Sequence, residues 1–244
     1  MVAKPCSRGR ALLFVTTLIA MTGSVGPVQA QTAAIGKLFS SAGTCSASVI
    51  SGKNIIVTAA HCCWNRSTSN WVGGWSFAPG YNNGNAPYGM FPFAQARVPN
   101  SWINNGDIAS DVCVISLQNN AAGKPVTFYT GWYGRSWNFP ANQNMRAFGY
   151  PGNIGGGNTL QQCSAPSSAQ PANCGADVLN MACNMTYGSS GGPWFRDFGA
   201  GNHVDSTVHG YVNKTCTGTF GQVFDGPRFT TNNIVLLCNA QGCD

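Results

Sequence analysis

Short apolar and β-branched stretches recur along the chain, and segments rich in Gly and Asn separate them. Stretches of this kind, bounded by turn residues, are typical of β-strands. The stretches predicted as strands are residues 35–40, 46–50, 54–58, 95–98, 112–117, 126–129, 145–148 and 206–212. A parallel α/β sheet would need long amphipathic helices between such strands. The pattern therefore predicts an all-β fold, a barrel or a sandwich.

Residues 231–238, Thr-Asn-Asn-Ile-Val-Leu-Leu-Cys, suit two different structures. A Thr or Asn ahead of an apolar run is typical of a capped helix start. The same apolar run would also suit a last strand. The sequence predicts an ordered C-terminal element, either a short helix or a strand.

Residues 1–30 have a pattern of their own. Basic residues at positions 4, 8 and 10 precede an apolar run at 11–21, and the segment ends in Val28-Gln29-Ala30. These are the three parts of a secretory signal peptide. The apolar run is too short for a membrane span, which needs about 20 residues. We therefore expect export, to an extracellular or periplasmic location, and a mature chain that begins near Gln31 and is not membrane-bound.

Composition and charge further limit the class of protein and the kinds of partner and bound group. Hydrophobic residues make up 43% of the 244 residues and charged residues only 8%, which excludes a disordered chain. The net charge of +6 falls to +3 without the first 30 residues, and no basic cluster indicates a nucleic-acid partner. Ten of the 11 cysteines lie beyond the signal segment, an even number that predicts disulfides in an exported chain. The spacing indicates no metal site, because neither a Cys-x-x-Cys pair nor a His-Glu-x-x-His motif occurs.

Three segments far apart in the chain carry the residue types of nucleophilic catalysis. Val57-Thr-Ala-Ala-His61-Cys62 ends an apolar strand in small residues and a His, and Asp111 leads into the apolar run 112–115. Gly188-Ser-Ser190-Gly-Gly-Pro193 places a Ser between glycines. Each segment alone suits a packing His, a turn Asp or a flexible loop. Together, in an exported disulfide-rich chain, they indicate a nucleophile, a base and an orienting carboxylate.

These three segments resemble the His, Asp and Ser motifs of trypsin-like serine endopeptidases with the chymotrypsin fold, and they occur in the order of that family. The chain is particularly similar to the bacterial glutamyl-endopeptidase-like branch, in residues 79–81, 148–151 and 183–194. The resemblance implies two six-stranded antiparallel β-barrels packed face to face. The N-terminal barrel, residues 31–122, would carry the His and the Asp. The C-terminal barrel, residues 123–244, would carry the nucleophile, the oxyanion hole and the specificity pocket.

The resemblance also implies a role for each residue. Ser190 would attack the scissile carbonyl, His61 would accept and return its proton, and Asp111 would orient the imidazole. The backbone N–H groups of Gly188 and Ser190 would form the oxyanion hole. The function implied is that of a secreted, monomeric serine endopeptidase that acts on proteins or peptides and needs no cofactor.

Two neighbouring residues compete for these roles. Asp107-Ile-Ala also resembles the Asp motif, but a catalytic Asp107 would leave Asp111 charged and without an obvious partner ahead of a buried strand. Ser189 precedes Ser190, yet only Ser190 is followed directly by Gly-Gly-Pro as the family nucleophile is. We therefore expect Asp111 and Ser190 to carry the roles.

The resemblance implies two pocket walls, residues 184–187 and 211–214. The substrate-binding residues would be Asn184, Thr186, Tyr211 and Asn213. Glutamyl endopeptidases place a His on the strand after the nucleophile, but the matching position here is Val212 or Asn213, with His209 several residues away. The choice between an acidic and a neutral polar substrate side chain therefore stays open.

The resemblance also implies disulfides beside the site. The family joins a pair that corresponds to Cys45 and Cys62. Cys183 would pair with Cys163 or with Cys174 and brace the nucleophile loop. The other pairings cannot be read from the spacing.

Two other functions compete with the endopeptidase. Gly188-Ser-Ser-Gly-Gly192 matches the nucleophile elbow of α/β-hydrolases, but Pro193 opposes the helix that should follow the Ser. The second is a catalytically silent secreted binding protein on the same fold. Retention of all three catalytic residue types favours the enzyme.

Overall fold

The computed structural model describes residues 31–170, 177–213 and 222–244, and these form a mostly β structure. The strands are β1 (Ile35–Ser40), β2 (Gly43–Ser51), β3 (Ile55–Thr58), β4 (Trp64–Asn65), β5 (Asn70–Trp71), β6 (Ser76–Pro79), β7 (Phe91–Arg97), β8 (Cys113–Leu117), β9 (Gly134–Arg135), β10 (Asn144–Gly149), β11 (Gln161–Ala169), β12 (Val178–Met181), β13 (Pro193–Phe195), β14 (His203–Thr207), β15 (Gly210–Asn213) and β16 (Gln222–Pro227). The helices are α1 (Ala60–Cys63), α2 (Asn100–Asn105), α3 (Val126–Thr130) and α4 (Leu236–Gln241). The predicted all-β class is confirmed. Within the described residues, no helix is long and apolar enough to span a bilayer.

The first half of the chain closes into a six-stranded barrel in the order β1-β2-β3-β8-β7-β6, as the resemblance implied. Strand β3 is buried along its whole length, because it lies between β2 and β8 and both of its faces are covered. Its continuous run Ile-Ile-Val-Thr is the pattern expected of a strand covered on both faces. The barrel thereby fixes the point at which β3 ends, two residues before α1.

The second half forms a sheet in the order β15-β16-β12-β11-β10-β13-β14-β9. Seven antiparallel strands curl into a half-barrel, and the two-residue β9 adds to β14 in parallel. This sheet therefore has more strands than the six that the resemblance implied. Trp194 and Phe224 stack in its core with their ring centroids 5.5 Å apart.

The C-terminal segment turns back to the first barrel. Residues Thr231–Val235 form a wide helical turn that leads into α4, so the helical interpretation of this segment is confirmed and the strand is not. Thr230 and Asn233 form a capping box, in which each side chain accepts from the backbone of the other end of the turn. Gln241 donates to the Ser116 hydroxyl of β8 at 2.6 Å. The end of the chain is thus packed against the barrel that its beginning forms.

One predicted strand, residues 126–129, is wrong, and another, residues 206–212, is wrong in part. Residues 126–129 are helical, in α3, because Pro125 precedes them and the Val126 N–H donates to the Asn54 side chain at 2.7 Å, a contact 72 residues distant in the chain. Residues 206–212 are not one strand, because the chain breaks at Val208-His209 between β14 and β15. This break directs the chain past the nucleophile loop described below.

We expect the capping box to hold the C-terminal turn. Thr230→Val keeps the side-chain volume but removes the hydroxyl, and it should lower the free energy of unfolding by about 1 kcal/mol. Urea denaturation with the disulfides intact measures this change. Asn232→Ala, at an exposed position of the same turn, is the control and should leave the midpoint unchanged. Equal midpoints for the Thr230 variant and the parent protein would contradict the capping role.

Candidate active site

His61 lies in α1, shortly after β3. Buried residues fix the chain before it, and disulfides fix the chain after it. Ala59 and Ala60 are fully buried, so only small side chains suit the turn from strand to helix. Cys62 forms a disulfide with Cys45 of β2, and Cys63 forms one with Cys113 of β8. The two residues after His61 are therefore bonded to strands on opposite sides of β3, which holds the imidazole at the edge of the barrel.

Asp111 is fully buried beneath His61. Its Oδ1 accepts the His61 backbone N–H at 2.8 Å, and its Oδ2 lies 2.8 Å from His61 Nδ1. Burial by itself raises the pKa of the Asp111 carboxyl, but the attraction and hydrogen bonds of His61 and the attraction of His209 outweigh it. The pKa of Asp111 therefore lies below its ordinary value, and the carboxyl is ionised at neutral pH.

Asp107, the competing carboxylate, has a different role. Its side chain accepts the Ala109 N–H at 3.2 Å and the Ser110 hydroxyl at 3.0 Å, so it caps the short 3₁₀ turn Ile108–Ser110. That turn lies directly before Asp111 and directs it towards His61. The structure thus gives the two carboxylates separate partners.

Ser190 lies in the loop before β13, next to the first barrel. Its carbonyl oxygen accepts the Ser46 N–H at 2.7 Å, and its hydroxyl donates to the His209 carbonyl oxygen at 3.4 Å. The structure has no hydrogen bond between Ser190 Oγ and the described His61 ring. Gly191 has a φ of +79°, and a Cβ there would lie 1.9 Å from Thr58 Oγ1. Glycine is therefore required after the Ser for the loop to approach the end of β3.

The backbone donors predicted for an oxyanion hole are available. Among the described residues, no acceptor bonds to the N–H groups of Gly188 and Ser190. Gly188 has a φ of +94°, and a Cβ on it would lie 2.4 Å from the Tyr150 carbonyl oxygen. The buried Ser46 hydroxyl donates to the Gly188 carbonyl at 2.8 Å and accepts the Tyr150 N–H at 2.8 Å. Ser46, which sequence reasoning missed, thereby joins the first barrel to this loop.

His209 is a second histidine of the site that the sequence did not assign to it. It occupies the break between β14 and β15, and its ring centroid lies 5.7 Å from that of His61. Its Nε2 lies 4.0 Å from Asp111 Oδ2, and its Nδ1 lies 2.9 Å from Asp225 Oδ1. The sequence offered one signal, since His209 is one of only three His residues in the chain.

The structure describes the side chains of two of the four predicted substrate-binding residues. Asn184 is exposed and Thr186 is half-buried, and the Asn153 side chain bonds to the backbone of both, at 2.8 and 3.1 Å. Tyr187, beside them, is 92% exposed. Tyr211 and Asn213 lie on β15, and their side chains are outside the described part of the structure.

The disulfides near the site include the predicted cysteines. Cys45 is bonded to Cys62 and Cys163 to Cys183, so the pairing left open for Cys183 is with Cys163. Cys63–Cys113 and Cys238–Cys243 are further disulfides that the spacing did not show. Cys174 and Cys216 lie outside the described residues.

Within residues 31–170, 177–213 and 222–244, two groups of side chains have atoms close enough together to be considered as metal ligands. One contains Cys45 and Cys62, whose sulfur atoms are bonded to each other. The other is His61, Asp111 and His209. The short His61–Asp111 contact leaves this second group arranged for proton transfer to and from an imidazole.

Comparison with known proteins gives concordant matches. A family model described as Trypsin matches residues 20–223. A glutamyl endopeptidase from Bacillus licheniformis is 28% identical over 164 residues, which are 66% of this chain and 48% of that protein. The chain therefore spans about half the length of this curated relative.

Solved structures match over most of the chain. A thermostable serine protease, AL20, from an extremophilic microorganism is 28% identical with a TM-score of 0.76, over 88% of this chain and 100% of that chain. The protease Anisep from Arthrobacter nicotinovorans is 28% identical with a TM-score of 0.74, over 87% and 97%. A Glu endopeptidase at 18% identity, with a TM-score of 0.72 over 89% and 93%, shares the fold.

The contacts of Ser46 predict a stability cost that its neighbour Ser48 should not share. Ser46→Ala leaves the Gly188 carbonyl and the Tyr150 N–H without this partner, so it should lower the free energy of unfolding by about 1–3 kcal/mol. Ser48, also fully buried in β2, has a hydroxyl without a described partner. Ser48→Ala should therefore leave the stability unchanged or raise it. Urea denaturation of both variants measures the difference, and equal losses would contradict the bridging role of Ser46.

Proposed function

The chain belongs to the trypsin family of serine proteases, and we propose that it hydrolyses peptide bonds in proteins through a Ser190–His61–Asp111 triad and an acyl-enzyme intermediate. The observation that carries this proposal is the fully buried Asp111, which bonds to both the backbone and the ring of His61. A carboxylate in this position fixes the tautomer of the ring, with Nε2 left to act as the base. Asp111 also stabilises the imidazolium that forms when the ring takes a proton.

The nucleophile needs one small movement. The Ser190 hydroxyl donates weakly to the His209 carbonyl at 3.4 Å, and rotation about its Cα–Cβ bond leads to other staggered positions. In unliganded enzymes the hydrogen bonds of catalysis are often longer than in the complex with substrate. We propose that substrate binding selects the position of Oγ from which His61 removes the proton.

The developing oxyanion would be bound by the backbone N–H groups of Gly188 and Ser190. Among the described residues, no acceptor is hydrogen-bonded to either N–H group. The positive φ of Gly188 sets the turn between them. A preorganised donor of this kind contributes about 3–4 kcal/mol to the stabilisation of the transition state. After the leaving amine takes the proton from His61, a water molecule activated by the same ring would hydrolyse the acyl-enzyme.

The substrate pocket would have residues 184–187 as one wall and 211–214 as the other. The proposed contacts, Asn184, Thr186, Tyr211 and Asn213, are all neutral and polar. An Asp at position 184 would favour Lys or Arg, and Asn184 stands there instead. We propose a polar or acidic side chain at the cleavage site, and the similarity to a glutamyl endopeptidase supports the acidic choice.

The same proposal includes secretion of the protein and the contribution of different site residues by its two halves. The signal pattern of residues 1–30 and the four described disulfides support export before the chain acts. Residues 31–122 would supply His61 and Asp111, and residues 123–244 would supply Ser190, the oxyanion hole and the pocket, in a monomer. Ser189 carries no charge with which to bind a newly freed N-terminus, so removal of the signal peptide would suffice for activation.

A fluorophosphonate probe tests the nucleophile directly. We expect the mature secreted protein to be labelled on Ser190, and peptide mapping by mass spectrometry separates this residue from Ser189. His61→Ala should abolish the labelling, because no base then removes the Ser190 proton. Circular dichroism of the variant checks that it is folded. A folded parent protein that stays unlabelled would favour the silent binding protein over the enzyme.

The role of Asp111 predicts a loss of turnover that Asp107 does not share. Asp111→Asn should lower kcat by about 10⁴-fold and leave the fold intact, because the amide presents the wrong hydrogen-bonding groups to His61. Asp107→Asn, four residues earlier, is the matched control and should reduce kcat only slightly, since its contacts are confined to the 3₁₀ turn. Steady-state kinetics on a peptide substrate measures both. Comparable losses in the two variants would overturn the assignment of Asp111.

A further inference from the structure

His209 lies between two buried carboxylates, one facing each of its ring nitrogens. Asp225, on β16, is fully buried and lies 2.9 Å from Nδ1, and Asp111, also fully buried, lies 4.0 Å from Nε2. The Gln170 side chain donates to the other oxygen of Asp225 at 3.3 Å. The side chains therefore form a continuous series from the second sheet to the first barrel, in the order Gln170, Asp225, His209, Asp111 and His61.

The geometry bears on the charge of the His209 ring. A neutral imidazole has one N–H donor and one lone pair, so it would direct the lone pair at one of the two carboxylates. An imidazolium directs an N–H at each of them and places one positive charge between two buried negative ones. Buried carboxylates are stable only when they are paired and hydrogen-bonded. The arrangement therefore favours the doubly protonated ring.

We propose that His209 is a positioning residue of the catalytic machinery, an imidazolium that bridges Asp225 and Asp111 and holds the Asp111 carboxylate in place under His61. The inference rests on the proposed function, because it assigns Asp111 to the triad. The backbone of His209 takes part in the same arrangement. Its N–H donates to the Asp225 carbonyl at 2.8 Å, and its carbonyl accepts the Ser190 hydroxyl. One residue between β14 and β15 thus lies next to both the proposed nucleophile and the carboxylate that orients the base.

The alternative role for His209 is to bind the side chain of the substrate. The surroundings of its nitrogens argue against that role, because Nδ1 is hydrogen-bonded to Asp225 and Asp111 Oδ2 lies 4.0 Å from Nε2. In the described part of the chain, the titratable groups that face the ring are His61, Asp111 and Asp225. A positive charge on His209 would therefore act on the protonation of His61, and the pH dependence of the reaction reports it.

Steady-state kinetics of two variants over a range of pH tests the proposal. His209→Gln removes the ring, and Asp225→Asn keeps an acceptor for Nδ1 but removes the charge that favours the imidazolium. We expect kcat to fall by about 10- to 100-fold in each variant through misplacement of Asp111. KM should change by less than about twofold. The acidic limb of the kcat/KM profile should move to higher pH, because a positive charge whose ring centroid lies 5.7 Å from that of the base is lost.

His203→Gln is the matched control. His203 also pairs with a carboxylate, with its Nδ1 2.8 Å from Asp197 Oδ2, but this pair is partly exposed and contacts none of the proposed triad residues. It should leave kcat, KM and the pH profile unchanged. A rise in KM at unchanged kcat in the His209 variant would overturn the proposal in favour of substrate binding. A lower kcat with an unmoved acidic limb would reduce His209 to a structural residue.

Nitrogen-15 NMR of the histidine rings in the unmodified mature protein gives a second test that does not depend on the folding of a variant. At neutral pH both ring nitrogens of His209 should show the shifts of protonated nitrogen. A pattern with one protonated and one bare nitrogen would overturn the bridging imidazolium. This measurement also separates the two proposals, because a protein that hydrolyses no peptide would contradict the function while the ring spectrum still reported the charge of His209.

Discussion

Asp111 carries its negative charge at a position with no solvent exposure, and the geometry around the site follows from the need to pair it. The pairing groups belong to His61, whose backbone N–H and ring both contact the carboxylate. His61 can serve only because its own position is fixed. The end of β3 places it, and the disulfides of Cys62 and Cys63 tie the helix that carries it to β2 and β8. Covalent bonds between α1 and two strands of the barrel thus maintain an electrostatic contact at its edge.

The second constraint is the close approach of the loop 188–192 to the first barrel. Ser46 bonds to this loop through its N–H and its hydroxyl, and the loop can come this near only because Gly188 and Gly191 have no side chains. Glycines with positive φ cost conformational entropy on folding. The cost is offset by bonds that hold the Ser190 backbone against the barrel that carries the proposed base. The proposed nucleophile and base therefore belong to different halves of the protein, and their relative position depends on a few polar contacts.

The predictions from sequence are correct for elements whose conformation is determined by residues close together in the chain. Strand β1 is predicted with its observed bounds, and the Thr and Asn before an apolar run make a C-terminal helix one of the two predicted alternatives. The features that were missed depend on partners distant in the chain. Residues 126–129 are β-formers, yet the Asn54 side chain accepts the first N–H of α3. The pairing of Cys63 with Cys113 depends on the register of β3 against β8, and His209 reaches the site only because the strand breaks at 208–209. Patterns of hydrophobic residues carry no information on such long-range contacts.

The proposed position of His209 links these constraints through charge. A first barrel that buried Asp111 with His61 alone would leave the buried carboxylate with the imidazole of a single residue beside it. The second sheet brings a further imidazole to the same carboxylate, together with Asp225 to hold its proton. Correct docking of the two sheets is then required for the charge balance of Asp111 as well as for the approach of Ser190. A half of the protein that folded without the other would leave a buried carboxylate on each side without its full set of partners, and this cost favours the assembled site over either half alone.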